Sequence, residues 1–346
     1  TRGTVDEAVA IDDIKKFIAE QDLHEETRYV PPVVIASNRL TRWDQKIAVI
    51  GAGPAGLSCA YYLAVKGYRP VVFEKHARPG GMMTYGIPSY KLEKDVIEAE
   101  IQVLRELGVE IRCGVEVGRD VTIGELREQG YQAFYLAIGC QGGKIPDIPG
   151  KDARGIDIAV RFLRHASENH GQKLNGRVVV VGGGNVAVDC ARTASRLGGK
   201  NVAMFCLESR ETMPASEEEI RETLEEEIAI HNGWGPKEIL KDENGKAWAV
   251  VFQKCTSVFD KDGRFDPQYA EDELMTVECE HVIFAVGQSI EWGNLLEGSR
   301  VEFWHGNYPV ADALTYQTKE PDIFVGGDVY SGPKFVIDAI EAGKNA

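Results

Sequence analysis

The sequence predicts an α/β fold of two parallel-sheet units with a short helical segment in front. Three observations carry this expectation. From Lys46 the chain reads as an unbroken apolar run, a glycine turn, a helical stretch and a second apolar run ending in an acid. The same succession returns from Arg177. The apolar runs do not alternate with polar residues, which marks strands buried on both faces of a parallel sheet. A chain of 346 residues suits about two domains.

Residues 1–44 stand apart. In "VAIDDIKKFIAEQDL" the apolar residues Ile11, Ile14, Phe17 and Ile18 recur at helical spacing, with Asp12 and Asp13 near the start. "RYVPPVVIASNRLTRWDQ" bears prolines without periodicity and reads as a linker laid over a surface.

"KIAVIGAGPAGLSCAYYLAVKGYRPVVFEK" then gives strand, turn, helix, strand and acid. Gly51 permits the tight turn, Gly53 lets the backbone approach a pyrophosphate, and Gly56 lets helix and strand pack closely. The helix N-terminus, with Pro54 and Ala55, offers free N–H groups and a positive dipole end to phosphates. Glu74, about 20 residues on, is placed to accept ribose hydroxyls. A lone glycine motif is weak, but the ordered context makes it specific for a Rossmann-like dinucleotide site. The second copy is "RVVVVGGGNVAVDCARTASRLGGKNVAMFCLE", with Gly182, Gly184, Asn185, Val186 and Ala187 in the turn and helix start. Ala187 still allows close packing. Glu208 ends its second strand. The plainer alternatives are a second unit kept as scaffold and a solvent-facing Glu208. Residues 218–230, "EEIRETLEEEIAI", read as one amphipathic helix whose acidic face is solvated.

Two dinucleotide units in one chain point to two dinucleotides face to face, most simply a flavin and a nicotinamide that exchange hydride directly. No catalytic triad is expected. The net charge of -15 speaks against a nucleic-acid partner. No apolar run reaches the roughly 20 residues of a membrane span, and no signal peptide is visible. The seven cysteines contain no C-x-x-C or C-x-x-x-x-C pair, and the histidines lack ligand spacing. No metal site is therefore expected within this chain, and the thiols read as buried residues of a reduced, cytoplasmic protein. The chain starts at Thr1 and stops within a helical pattern, so it reads as a piece of a longer polypeptide.

Several stretches are more specific than the glycine motifs: "GGMMTYGIPSYKL", "YLAIGCQGGKIPDIPG", "GGGNVAVDCART", "MPAS" and "DIFVGGDVYSGPKFVIDAIEAGKNA". Through them nearly the whole chain resembles the glutamate synthase small-subunit-like FAD/NAD(P)-dependent oxidoreductases. That group extends to the N-terminal flavin part of dihydropyrimidine dehydrogenase and to flavin subunits of electron-bifurcating transhydrogenases. The resemblance implies an FAD domain at 45–148 plus 286–346, split by an inserted NAD domain at 149–285. "AFYLAIGC" and "HVIFAVGQ" would be the strands at the two crossings. Residues 1–44 would be the tail of an N-terminal helical, iron–sulfur-type domain. The resemblance further implies FAD contacts from Lys75, Gly81, Met82, Gly86, Ile87, Val117, Gly139, Gly327 and Asp328. A final helix, entered through Phe335, Val336 and Ala339, would point its N-terminus at the isoalloxazine ring. "GGD" alone would be no more than a turn and cap. Gly287 would join the NAD side.

Two departures from the resemblance matter. Relatives often carry Cys where this chain has Thr4, so a cluster is expected only on a partner or a missing upstream segment. NADPH-using relatives commonly carry an Arg pair that falls here on Leu207 and Glu208. An Arg there would bind a 2′-phosphate, whereas Glu208 accepts from ribose hydroxyls and repels phosphate. Arg210 is close enough to reopen the question. The expected function is an FAD-dependent NAD(H) oxidoreductase module that passes electrons to iron–sulfur clusters of a partner in a hetero-oligomeric complex. The alternatives are an NADPH-dependent glutamate synthase small subunit, a free-standing NADH oxidase or diaphorase, and a non-catalytic nucleotide-binding assembly subunit.

Overall fold

The computed structural model describes residues 9–25, 29–32, 45–169, 173–304 and 307–346. Thr4 and most of the proline-bearing linker lie outside the described residues. Helix α1 (Ile11–His24) forms where the periodicity indicates. Ile11, Ile14, Phe17 and Ile18 stay more than half exposed, with Phe17 at 61%.

The first unit begins with β1 (Lys46–Ile50), α2 (Pro54–Val65) and β2 (Arg69–Glu74). It continues through α3 (Met82–Tyr85), α4 (Lys94–Glu106), β3 (Glu110–Cys113), α5 (Ile123–Glu128) and β4 (Tyr131–Leu136). A Thr122/Glu125 capping box starts α5. The chain then leaves through the short β5 (Gly142–Gly143) and builds β6 (Ile156–Ile158), α6 (Ala159–Glu168), β7 (Arg177–Val181), α7 (Asn185–Arg196) and β8 (Lys200–Cys206). Next come α8 (Glu217–Glu225), β9 (Ala229–Asn232), β10 (Trp234–Lys241), β11 (Ala247–Phe259), β12 (Phe265–Glu278) and β13 (His281–Phe284). It returns through β14 (Gln288–Ser289) to β15 (Ile323–Val325), α9 (Asp328–Ser331) and α10 (Val336–Asn345).

Two five-stranded sheets result, ordered β15-β4-β1-β2-β3 and β6-β13-β7-β8-β9. All pairings within them are parallel. The first sheet closes only when β15 returns beside β4, so one unit is split by the other. The two crossings meet as an antiparallel pair, β5 with β14. A separate antiparallel sheet, β10-β11-β12, flanks the second unit, and Phe205 of β8 stacks on Phe252 of β11. The strands are buried as unbroken apolar runs should be: Val178, Val180 and Ala48 have no exposure, and Val181 has 3%.

One expectation fails. Residues 218–230 are not a single helix. Helix α8 stops at Glu225, Glu227 adopts φ +58°, and residues 229–232 become β9, the outer strand beside β8. Burial explains the break: Ile228 turns into the core at 3% exposure, and a helix could not then supply the strand that completes the sheet edge. Nor is the acidic face simply solvated. Glu222 and Glu226 pair with Arg192, Glu226 also pairs with Arg196, and Glu219 pairs with Lys91.

Candidate functional site

The two glycine turns are built alike. Gly51 donates its amide to the Phe73 carbonyl at 2.8 Å, and Gly182 donates to Phe205 at the same distance. Gly51 has φ +105°, and a Cβ on it would lie 2.4 Å from the Ala137 carbonyl oxygen. Gly182 has φ +144°, and its Cβ would lie 2.5 Å from the Ala285 oxygen. Only glycine satisfies both the backbone and the approach of the neighbouring strand's exit. Gly53 and Gly184, the N-caps of α2 and α7, face open space with nothing within 4 Å of a Cβ. Each helix thus presents uncapped N-terminal amides at an unfilled surface, which suits a pyrophosphate.

In front of the first turn lies a cleft of about 1480 Å³ including its mouth. Gly51, Gly53, Pro54, Ala55, Glu74, Lys75, Gly81 and Met82 line it, as do Gly86, Ile87, Val117, Gly139, Asp328, Phe335, Val336 and Ala339. Gly56 and Gly327 lie behind its wall. A Cβ on Gly56 would meet the Gly51 oxygen at 1.9 Å, and one on Gly327 would meet Ala55 at 2.7 Å. Donors at one end, an apolar wall and a helix N-terminus at Phe335 fit an elongated flavin dinucleotide.

Glu74, 5% exposed, ends β2 with both carboxylate oxygens engaged. They accept the amides of Ala52 and His76, each at 2.8 Å. Burial pushes its pKa up, and the two amides act against that rise. Asp328 accepts the Lys334 amide at 3.3 Å, and burial pushes it up to about 6. His76 is pushed down to about 4, first by burial and then by Lys75 and Arg164. Lys94 donates to the carbonyls of Met83 at 2.6 Å and Ile87 at 2.5 Å, pinning the loop that forms one wall.

At the second turn the segment after β8 folds across: Ala215 donates to the Gly183 carbonyl and Ser216 to the Asn185 side chain, both at 3.0 Å. Glu208 reaches back over the turn, one carboxylate oxygen 2.9 Å from where a Cβ on Gly183 would sit. Among the described residues none donates to that carboxylate. Arg210 is bound bidentately by Glu217, at 2.9 and 2.6 Å. Gly287, at φ +110°, precedes Gln288 on the cleft wall.

Of the residues expected to hold the nicotinamide dinucleotide, only Val186 reaches the cleft at the first turn, and it is joined there by Leu163 and Asp189 of the second unit. Sequence reasoning missed Asp189 and its partner. Lys91, from the first unit, ion-pairs with Asp189 and with Glu219 at 2.5 Å, all three side chains at most 19% exposed. Both residues lie inside the motifs "GIPSYKL" and "GGGNVAVDCART", but their pairing is not legible from either alone. Trp292 and Leu295 of the returning segment were also missed and carry no motif.

Six of the seven cysteines are buried, Cys113 is partly so, and none is bonded to another. Burial raises the pKa of every one of them, Cys59, Cys140 and Cys279 to about 12. None is poised as a thiolate. Among the described residues no group of three or more His, Cys, Asp or Glu could hold a metal ion, and no helix is long and apolar enough to cross a membrane.

The fold and its paired turns define a flavin-dependent oxidoreductase with sites for two dinucleotides. The chain belongs to the pyridine nucleotide-disulphide oxidoreductase family, whose profile matches residues 45–343. It is 35% identical to the NADP(+)-dependent formate dehydrogenase subunit beta of Moorella thermoacetica, over all of this chain and 51% of that protein. It therefore spans about half the length of that relative. It is 32% identical to the glutamate synthase (NADPH) small chain of Escherichia coli, over 98% of this chain and 74% of that one. It is 32% identical to a Salmonella typhi homologue of the NAD-dependent dihydropyrimidine dehydrogenase subunit PreT, over 100% and 76%. The resemblance read from the sequence thus holds. In fold it is similar to FprA of Mycobacterium tuberculosis in complex with NADPH, with TM-score 0.74 and 18% identity over 87% of this chain and 83% of that one.

Proposed function

We propose that this chain is an NAD(H)-linked flavoprotein module that hands electrons to an iron–sulfur centre on a partner subunit or another domain. The flavin unit is 45–148 plus 286–346, and the nicotinamide unit is 149–285. One observation carries the reading: the cleft at the open Gly53 is lined also by Val186 and Asp189, from the helix that starts at the open Gly184.

Bound in the two units, FAD and NAD(H) supply hydride exchange between isoalloxazine and nicotinamide. The part of the chain is to bind and orient. Gly51, Gly53 and the first amides of α2 suit the flavin pyrophosphate, and Gly182, Gly184, Asn185 and α7 suit that of the nicotinamide dinucleotide. The N-terminus of α10 places a positive dipole end at the cleft, favouring negative charge there. Glu208, whose carboxylate has no donor among the described residues, suits a ribose diol and opposes a 2′-phosphate. The buried, unpaired cysteines support an exit for electrons other than a dithiol. A second reading, NADPH linkage as in the named glutamate synthase chain, rests on Arg210, and the pairing of Arg210 with Glu217 weighs against it.

The test is anaerobic titration of the flavin-loaded protein. NADH should bleach the flavin absorbance with kcat/KM at least about tenfold above that for NADPH, which corresponds to about 1.4 kcal/mol. Equal values would sink the NAD assignment. No bleaching by either would sink the hydride-transfer reading.

A further inference from the structure

Arg210 is the single basic residue between Lys200 and Arg221. It sits on the segment that folds over the second glycine turn, two residues beyond Glu208. A 2′-phosphate arriving there would look to this guanidinium first, because guanidinium forks match phosphate bidentately. The fork is already occupied. Both terminal nitrogens donate to the two oxygens of Glu217, with the Arg210 side chain 41% and the Glu217 side chain 81% exposed. Glu217 is in turn held in place. It is the first residue of α8, directly after the N-cap Ser216, whose hydroxyl accepts the Glu219 amide at 3.3 Å. The Ser216 amide is tied to Asn185 of the nucleotide turn itself at 3.0 Å. An acid in the first turn also lies at the favourable end of the helix dipole.

We propose that Glu217 is a specificity-determining residue that acts through Arg210. By holding the guanidinium it withdraws the one cation of this loop from a nucleotide 2′-phosphate. A phosphate that displaced Glu217 would gain Arg210 but face three carboxylates, Glu208, Glu211 and Glu217, with one cation among them. A ribose diol needs neither Arg210 nor the release of Glu217. Discrimination against the 2′-phosphate thus has two parts: repulsion by Glu208 and sequestration by Glu217. The proposal rests on reading the second unit as the nicotinamide site.

The experiment compares Glu217→Gln with the unaltered full chain. Calorimetry gives the affinity for adenosine 2′,5′-bisphosphate and for ADP, and steady-state kinetics give kcat/KM for NADPH and NADH. Because the pair is exposed, the expected effect is modest: about three- to tenfold better binding of the 2′-phosphorylated nucleotide and a like rise with NADPH. ADP and NADH should change by less than about twofold. The double variant Arg210→Ala/Glu217→Gln should lose the gain, which shows that Glu217 acts through Arg210 rather than by its own charge. An unchanged ratio in Glu217→Gln, or a gain that survives loss of Arg210, overturns the proposal while leaving the nicotinamide site intact. If neither nucleotide binds the unaltered chain, the reading of the second unit fails and the proposal falls with it.

Discussion

Glu74 and Glu208 end the second strands of the two units, one after β2 and one after β8. Their settings differ. Glu74 is 5% exposed and spends both oxygens on backbone amides that hold the glycine turn and the chain leaving the strand. Glu208 is half-buried, contributes its carbonyl to Gly233 and Asn232, and leaves its carboxylate without a donor among the described residues. The same motif position is therefore part of the scaffold in one unit and available to a ligand in the other. The helices differ in the same sense. Gly56 cannot carry a methyl because the Gly51 oxygen is 1.9 Å away, whereas the equivalent Ala187 is accommodated with no exposure. The first unit is drawn tightly around its turn, and the second leaves room for a methyl at the same place.

The largest effect should come from Glu74→Ala. It strands the buried Ala52 N–H and the partly buried His76 N–H and loses about 2–4 kcal/mol of stability, with flavin content falling alongside. Glu208→Gln should stay within about 0.5 kcal/mol. Scanning calorimetry with the ratio of flavin to protein absorbance checks both, and equal destabilisation would erase the contrast between the two acids.

Next in size is Lys91→Met. Lys91 is the cation between Asp189 and Glu219. Its loss takes from Asp189 its ion-pair partner and leaves Glu219 only the longer contact to Arg192 at 3.6 Å, about 1–3 kcal/mol. Because Asp189 is on the cleft wall and Lys91 comes from the other unit, the register between the units should loosen as well. In stopped flow, flavin reduction by NADH should slow more than NADH affinity weakens, and Lys91→Arg should restore most of the rate. A variant that loses stability but reduces at the normal rate would make Lys91 a structural tie only.

Glu208→Arg should move kcat/KM toward NADPH by at least about tenfold, roughly 1.4 kcal/mol. It also sharpens the comparison, since Glu74→Arg in the buried site should not fold well enough to assay.

The repeat that frames that comparison is legible in the amino-acid sequence, but the contrast between its two acids is not: both read as ribose acceptors, and only the folded chain brings the amides of Ala52 and His76 onto Glu74. The β1-α2-β2 and β7-α7-β8 repeats are local, and their glycines answer to backbone constraints that a sequence displays. The helix expected at 218–230 fails because a strand of four residues at a sheet edge looks like one more turn of an amphipathic helix when its only signal is Ile228 and Ile230. The tie of Lys91 to Asp189 and the clamp of Arg210 by Glu217 are not legible for a different reason. Each joins residues whose individual roles are ambiguous, and only the fold brings Lys91 against α7. The acids of 218–230 read as a solvated charge run until Arg192 and Arg196 from α7 stand opposite them.

The smallest expected effect belongs to Asp328, at the start of α9 just after β15. Burial pushes its carboxyl up to about 6, so the fold favours the protonated form. The sign follows: the stabilising contribution is fully present below the ordinary carboxylate range of about 4 and is lost as pH rises through about 6. Above that, the flavin-free protein holds an unfavourable partly buried charge, offset in part by the Lys334 amide. Asp328→Asn mimics the protonated acid and can still accept that amide. It should stabilise the flavin-free chain by about 1 kcal/mol above pH 6, after allowance for partial exposure, and do nothing at about pH 4. Thermal melts of the two flavin-free proteins across that range check the sign. A stabilisation that persists at low pH would mean that the charge of Asp328 is not what the fold resists.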